Sequence, residues 1–544
     1  MIKSVLVALN AKYVHSSLAL RYIEKYSIKY SPEIMEFSIN DNIHNIYSEL
    51  LKKNSDLYAF SCYIWNIELI LKVAEMLKKA IPHTKIILGG PEVSYTPHKI
   101  LSSCEYIDGV IVGEGEETFC SLLGALDGGV KYNCLPDIPG LYTRNNDFVY
   151  GKRVDLSMMP QPYSKEDIRK LEGKIIYFET SRGCPFNCSF CLSSKEENVR
   201  PFPMEYVKEG LGFLLEERVP LIKLIDRTFN YNNNRAIEII EFIIKNNKSS
   251  RIHMELEPGI LSDELINALN LAPAGTFQVE MGIQSTNPLT LSSIGRRQND
   301  EKTAEKIIKL KEPGKIHVHL DLITGLPYED LNSFKKSFNY VYALKPDMLQ
   351  LGFLKVLNGT EMAKNSDIVS ADFPPYEVIS TRWLSSEEMC SIKMTEEAVE
   401  KFYNSSAFTK TLERIIGDNP YEDFERLGRC LYEWQRQGKL KKSLLYQLLF
   451  ENYGSQLKNA LSIDFIMNNK GVRMPDFANP QREKGFKDVT YRLLREEWFC
   501  EKYGIEEQQC DIRFERIDGV AYMMDYSRKK LFDITDEIEK SVGL

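Results

Sequence analysis

Lys174-Ile175-Ile176-Tyr177-Phe178-Glu179 runs through Thr180 into Ser181-Arg182-Gly183-Cys184-Pro185-Phe186-Asn187-Cys188-Ser189-Phe190-Cys191. An apolar run of strand character delivers a short loop with three cysteines at C-x₃-C-x₂-C spacing. Three thiolates so close together can hold three irons of a cubane, whereas four cysteines usually close an iron–sulfur cluster. The fourth iron then keeps an open coordination position, which is where chemistry can occur. A structural zinc site would want four N/S ligands, and the nearest histidine, His253, is far off in sequence. A disulfide plus a spare thiol does not suit a chain whose start shows no secretory signal.

Downstream, strand-like runs recur between helical stretches: Leu221–Asp226, Ile252–Glu257, Phe277–Gly282, His317–Ile323 and Met348–Phe353. With the opening strand they make six βα units, which predict a partial parallel barrel with function at the carboxyl ends of its strands. Glu255 and Glu257 share one strand face, as do His317, His319 and Asp321. Buried unpaired charge is costly, so these residues either face a ligand inside the barrel, or pair with one another, or point outward.

Upstream, residues 1–150 alternate strands and helices as well. Val5–Leu9, Leu57–Phe60, Lys85–Leu88 and Gly109–Val112 are the strand runs, and a helix is predicted from about Ile67 to Lys79. This pattern predicts a doubly wound, Rossmann-like parallel sheet with its ligand off the carboxyl ends of the strands. Ser61, Gly89-Gly90-Pro91-Glu92 and Gly113-Glu114-Gly115-Glu116 stand at such ends, where glycine lets backbone approach a ligand. No G-x-G-x-x-G follows the first strand, which argues against a dinucleotide. The predicted fold class is therefore α/β, with boundaries at 1–135 for the sheet domain, 136–173 for a proline-rich linker carrying one small hairpin (Gly140–Thr143 and Phe148–Tyr150), 174–360 for the barrel, and 361–544 for a mainly helical remainder. In that remainder Ile512–Arg516 and Val520–Met524 read as a hairpin about Asp518-Gly519.

The cysteine loop resembles the signature of the radical S-adenosylmethionine (SAM) superfamily. That resemblance implies a 4Fe–4S cluster on Cys184, Cys188 and Cys191, SAM chelated to the free iron, and reductive cleavage to a 5′-deoxyadenosyl radical, with Phe190 near the adenine. Leu224–Asn230 resembles the second-strand motif, Glu280–Ser285 the fourth-strand ribose and carboxylate motif, and Leu322–Pro327 the fifth-strand motif against adenine. They imply SAM contacts at Asp226, Glu280, Gln284, Ser285 and Ile323; the commoner fourth-strand motif has Glu where Gln284 stands. Together with the glycine-rich strand ends, the chain resembles cobalamin-dependent radical SAM enzymes. This implies a cobalamin site with Tyr13, His15, Ser61, Tyr63, Gly89, Gly90, Pro91, Glu92, Gly113, Glu114 and Gly115. Tyr13-Val14-His15-Ser16-Ser17-Leu18 lacks the Asp and Gly of the D-x-H-x-x-G cobalt-ligand loop, so His15 is either a cobalt ligand or a residue of the helix start. The C-terminal third resembles an uncharacterised domain attached to such proteins.

The implied activity is methylation of an unactivated carbon through methylcobalamin. A non-methylating rearrangement or cyclisation is the alternative, and a cobalamin-binding sensor or carrier the non-enzymatic one. A tRNA methylthiotransferase would carry a second three-cysteine cluster, and Cys62, Cys104, Cys120 and Cys134 do not fit one. Cys390, Cys430, Cys500 and Cys510 lack ligand spacing too. A net charge of -8 argues against a general nucleic-acid binder. No run of about 18 apolar residues predicts a membrane span. The eleven cysteines, without regular pairing, fit a reducing cytoplasm. The expected partners are an unidentified substrate and an electron donor such as flavodoxin or ferredoxin.

Overall fold

The computed structural model describes residues 2–145, 147–195, 198–297, 300–438, 441, 444–478, 485–505 and 511–542; Cys510 and Asn146 lie outside them. The chain forms two compact units, residues 1–337 with 352–385, and residues 338–351 with 386–544.

The first unit holds two sheets. Strands β1 (Ser4–Asn10), β2 (Glu33–Ser38), β3 (Leu57–Ser61), β4 (Lys85–Gly89), β5 (Gly109–Ile111) and β6 (Leu141–Thr143) lie in the order β2-β1-β3-β4-β5-β6. All pairings from β2 to β5 are parallel, and β6 closes the edge antiparallel to β5. Val5, Val7 and Leu9 pack on one face with Ile70 and Val73, while Leu6 and Ala8 pack on the other with Phe119 and Leu122. Burial on both faces is why these strands read as continuous apolar runs rather than alternating ones. Strand order reverses between β1 and β3, the switch point at which open α/β sheets bind ligands. The expected hairpin is replaced by this edge strand: Leu141–Thr143 pairs with Gly109–Ile111, and Phe148–Tyr150 forms no strand, touching the turn through the Gly140 N–H to Val149 carbonyl bond of 2.8 Å.

After β7 (Ile176–Phe178) come the short antiparallel pair β8 (Ser181–Arg182) and β9 (Arg200–Pro201), then β10 (Leu221–Leu224), β11 (Arg251–Glu255), β12 (Phe277–Gln284), β13 (His317–Thr324) and β14 (Met348–Phe353). The second sheet has the order β14-β13-β12-β11-β10-β7, parallel from β7 to β13, the partial barrel the spacing predicts. Of β14, Gly352 and Phe353 stand in this unit. β12 alternates buried and half-buried residues along its length. β15 (Ile368–Ser370) and β16 (Val378–Thr381) form a small ribbon.

The second unit is mainly helical, its longest helix being Pro420–Arg436. Its last part holds β17 (Ile512–Ile517), β18 (Val520–Asp525) and β19 (Lys530–Asp533), antiparallel throughout, followed by a helix over Thr535–Val542. Asp518 and Gly519 both have positive φ (49° and 86°), as the expected two-residue turn requires. Among the described residues no helix is long and apolar enough to cross a membrane.

Candidate functional site

The cysteine loop leaves β7 and is pinned at both ends. Buried Asp226, just past β10, accepts from the Thr180 N–H at 2.9 Å, the Thr180 hydroxyl at 2.7 Å and the Ser181 hydroxyl at 2.6 Å. Further along, the Ser189 N–H donates to the Ile294 carbonyl and the Met362 N–H to the Ser189 carbonyl. Gly295, with φ of 76°, approaches so closely that a Cβ there would lie 2.8 Å from the Asn187 carbonyl oxygen. Cys184 and Cys191 are half-buried and Cys188 is buried. Burial pushes the Cys188 thiol up to about 11; Arg296 opposes the rise, and nearby Cys191 and Cys184 add to it. The donor set fits a cluster held by three thiolates, and loading it releases protons.

The carboxyl ends of β3, β4 and β5 face this loop across a cavity of about 400 Å³. Tyr63, Gly90 and Gly113 line one side, with Arg182, Gly183 and Leu192 on the other. Gly90 has φ of 113°, and a Cβ would stand 2.6 Å from the Cys62 carbonyl oxygen, so no other residue fits. At Gly113 (φ 85°) the space a Cβ would take is open. A second, mostly apolar cavity of about 100 Å³ continues down the sheet among Ala59, Ile87, Ile111, Leu20 and Phe119, with Ser61 and Gly89 at its lining. A wide chamber over glycine strand ends, with an apolar slot beneath, fits a corrin and its nucleotide tail.

Arg182, two residues before Cys184, ties the two halves together. Its guanidinium reaches Glu179 at 2.8 Å, Glu116 at 2.7 Å and Glu114 at 3.2 Å, and lies over the Tyr22 ring at 5.4 Å. Arg200 on β9 also pairs with Glu114, whose other oxygen accepts from the Val154 N–H at 2.7 Å. These two cations hold Glu114 below the usual carboxylate range against its burial, whereas burial lifts Glu179 to about 7.

The barrel interior is polar. Glu280 lies 3.1 Å from His253 Nε2 and 3.6 Å from Lys223 Nζ. The hydrogen bond from His253 outweighs burial and holds Glu280 down to about 2. Burial and the neighbouring Glu280 and Glu255 raise Asp321 well above the carboxylate range. Of the outcomes left open, Glu257 pairs with Arg296 and His319 with Gln278, His317 is exposed, and Asp321 keeps a buried oxygen without a partner.

The structure gathers most of the residues expected at the cobalamin site around the cavities and engages others elsewhere. Ser61, Tyr63, Gly89, Gly90, Pro91, Gly113, Glu114 and Gly115 line the two cavities. His15 instead bonds Tyr177 Oη through Nδ1 at 2.5 Å, and Tyr13 donates to Asp41 at 2.9 Å. Glu92 accepts from the Tyr376 hydroxyl. Glu114 is taken by the arginines, and Asp226 by Thr180 and Ser181. Ser285 donates to Glu329 at 2.6 Å, and Glu280 sits in the barrel floor. Gln284, at φ of 67°, has a buried Oε1 without a protein partner, as a ligand-facing amide would. Phe190 and Ile323 are half-buried. Arg182, Arg200 and Tyr376 escape sequence reasoning. Of these, Arg182 alone sits inside a motif that could have flagged it.

Two domain families account for this arrangement. Residues 4–123 match the family model described as B12 binding domain, and residues 178–341 match that of the Radical SAM superfamily. The chain therefore joins a B12-binding domain to a radical SAM domain. Residues 364–516 match a family described as protein of unknown function (DUF4080). Among individual relatives, an uncharacterised methyltransferase of Pyrococcus horikoshii is 28% identical over 61% of this chain and 75% of its own. The cobalamin-dependent radical SAM methyltransferase TokK of Streptomyces tokunonensis is 24% identical over 52% of this chain, which spans less than half, 44%, of that relative. The fold is shared with two solved structures. The radical SAM methyltransferase TsrM from Kitasatospora setae gives a TM-score of 0.57 at 17% identity over 69% of this chain and 80% of that one. The cobalamin-dependent SAM radical enzyme OxsB, with aqua-cobalamin and SAM bound, gives 0.59 at 15% identity over 93% and 81%.

Proposed function

We propose that this chain is a cobalamin-dependent radical SAM methyltransferase that methylates an unactivated carbon of a substrate still to be identified. The observation that carries the proposal is the single 400 Å³ cavity lined both by the glycine strand ends and by the cysteine loop. It marks where the two cofactor-bearing elements face one another, so that groups held on each would react without long-range movement. When bound, the cluster with SAM and the cobalamin supply a radical source and a transferable methyl group.

In this reading Cys184, Cys188 and Cys191 hold the cluster, and Phe190, Gln284 and Ile323 border SAM. Asp226, Ser285 and Glu280 act as positioning residues, because their side chains serve the loop base, Glu329 and the barrel floor. Gly89, Gly90, Pro91, Gly113 and Gly115 give backbone access to the corrin, with Ser61 and Tyr63 beside the slot. His15 and Tyr13 are left out of the cobalt coordination. Arg182 orients the cysteine loop against the corrin-side carboxylates. A reducing cytoplasm would supply the electron through a flavodoxin- or ferredoxin-like donor.

The test is anaerobic reconstitution of the full chain with iron, sulfide and cobalamin, followed by incubation with SAM, reductant and cell metabolites. About four irons per chain are expected, together with S-adenosylhomocysteine, 5′-deoxyadenosine and a product one methylene heavier. Cys188→Ala should lose the cluster and 5′-deoxyadenosine release together. Release of 5′-deoxyadenosine without S-adenosylhomocysteine, with every substrate pool tried, overturns the methyl-transfer reading.

A further inference from the structure

His253 on β11, Glu280 on β12 and His319 on β13 stand on three adjacent strands, below the strand ends that carry the cofactor loops. One ligand atom from each lies within 4.8 Å of the other two, and both histidines are buried. Parallel register sets Glu280 beside Glu255 and His319, with His253 one step below on the same face. One polar atom beside these ligands lacks a protein partner although buried, Asp321 Oδ1; His253 Nδ1 is also unpartnered, on the side of the ring away from Glu280. A native interior leaves few such atoms unpaired, and each asks for a missing ligand, ion or water. Three carboxylic groups, Glu255, Glu280 and Asp321, face Lys223, which lies 3.6 Å from Glu280, and Arg227 also acts on Glu255.

We propose that His253, Glu280 and His319 bind a divalent transition-metal ion in the barrel floor, with Asp321 as the nearest candidate for a fourth ligand. Two imidazoles with carboxylates suit zinc(II), iron(II) or cobalt(II), and not the all-oxygen preference of magnesium or calcium. A dication offsets the crowding of these carboxylic groups and fastens β11, β12 and β13 to one another. The site is separate from the cysteine loop and does not depend on the methyltransferase reading. Two groups compete with the ion. Lys223 is the counter-ion Glu280 uses without metal, and Gln278 Nε2 lies 2.6 Å from His319 Nε2. Metal entry displaces the lysine and swings the amide aside.

The experiment uses the full chain with Cys184, Cys188 and Cys191 all changed to serine, so that cluster thiolates cannot take the ion. Zinc(II) alone is titrated against a chromophoric chelator, and retained metal is counted by native mass spectrometry. One zinc per chain is expected. In that background His319→Gln should weaken binding roughly tenfold or more, and Lys223→Met should tighten it about as much by removing the competing cation. If His319→Gln fails to fold, Lys223→Met decides alone: tighter binding supports the site, and unchanged or weaker binding overturns it. Absence of retained zinc, or zinc insensitive to both substitutions, also overturns it.

Discussion

The two sheets of the first unit are both mainly parallel, yet they bury different kinds of residue. β1 and β3 are buried along almost their whole length by helices on both faces, and the core around them is mostly apolar. β12 alternates buried apolar residues with half-buried polar ones, and its polar face looks into the barrel. The first sheet can therefore act on a ligand only at its strand ends, and that is where its glycines stand. The barrel carries charge through its depth, so its chemistry and its pH sensitivity extend down to its floor. The apolar sheet should accept a cofactor without itself titrating, while the barrel should carry most of the ionic response.

The largest expected effect lies where the two regions meet. Arg182→Met leaves Glu114, Glu116 and Glu179 without the cation they share, while Arg200 still serves Glu114. Breaking a buried ion pair by removing one partner costs about 3–5 kcal/mol. Urea unfolding of the full chain should show that loss, with cobalamin retention falling in parallel. A loss below about 1 kcal/mol, in the range of exposed pairs, would mean that the two halves are not joined through this residue.

The barrel's titration gives the next effect. Glu329 is fully buried, and burial lifts its carboxyl to about 7, opposed by donors Ser285 and Ser337. The folded state thus holds a proton that the unfolded chain releases from about pH 4.5 upward. Stability from this group is complete below that pH and lost as pH rises to about 7, by about 3 kcal/mol. Glu329→Gln should flatten this fall in denaturation curves taken across that range. An unchanged slope would move the pH sensitivity elsewhere.

In the sheet, the sharpest expectation concerns backbone. Gly90→Ala forces a Cβ to within 2.6 Å of the Cys62 carbonyl oxygen at a φ of 113°. Strain of this kind costs about 1–3 kcal/mol, and cobalamin retention should drop with it. Equal cobalamin content in the variant and the parent would remove Gly90 from the site.

Local chemistry made much of this legible. Continuous apolar runs ending in glycine announce a parallel sheet with a ligand at its edge, and C-x₃-C-x₂-C spacing carries its own geometry. Side-chain direction was not legible. Asp226, Glu280 and Ser285 fall within motifs that suggest ligand contact, but their partners come from distant segments: His253 from a neighbouring strand, Thr180 and Glu329 from loops after strands. The Arg182 cluster joins residues 66 positions apart through Glu116, and no periodicity encodes such a pairing. Gln284 was legible only in part, since its motif marks the position while its positive φ and unpartnered oxygen emerge from the β12 bulge beside it.

His15 gives the smallest expected effect and separates two accounts of the sheet edge. Its Nδ1 is held by Tyr177 on β7, while Val14 and Ser16 bond the backbone of Ile175. The segment is thus fastened to the start of the barrel on both sides of His15. Burial and the cations Lys12 and Lys223 lower its pKa, which keeps the ring neutral at pH 7 and able to share one hydrogen bond with the phenol. His15→Ala should therefore cost about 1 kcal/mol, the net worth of a typical hydrogen bond. The electron paramagnetic resonance spectrum of bound cob(II)alamin should show the same axial environment in variant and parent. Loss of an axial nitrogen signal in the variant would instead make His15 the cobalt ligand, with Tyr177 orienting its other ring nitrogen in the manner of the partners that hold metal-bound histidines.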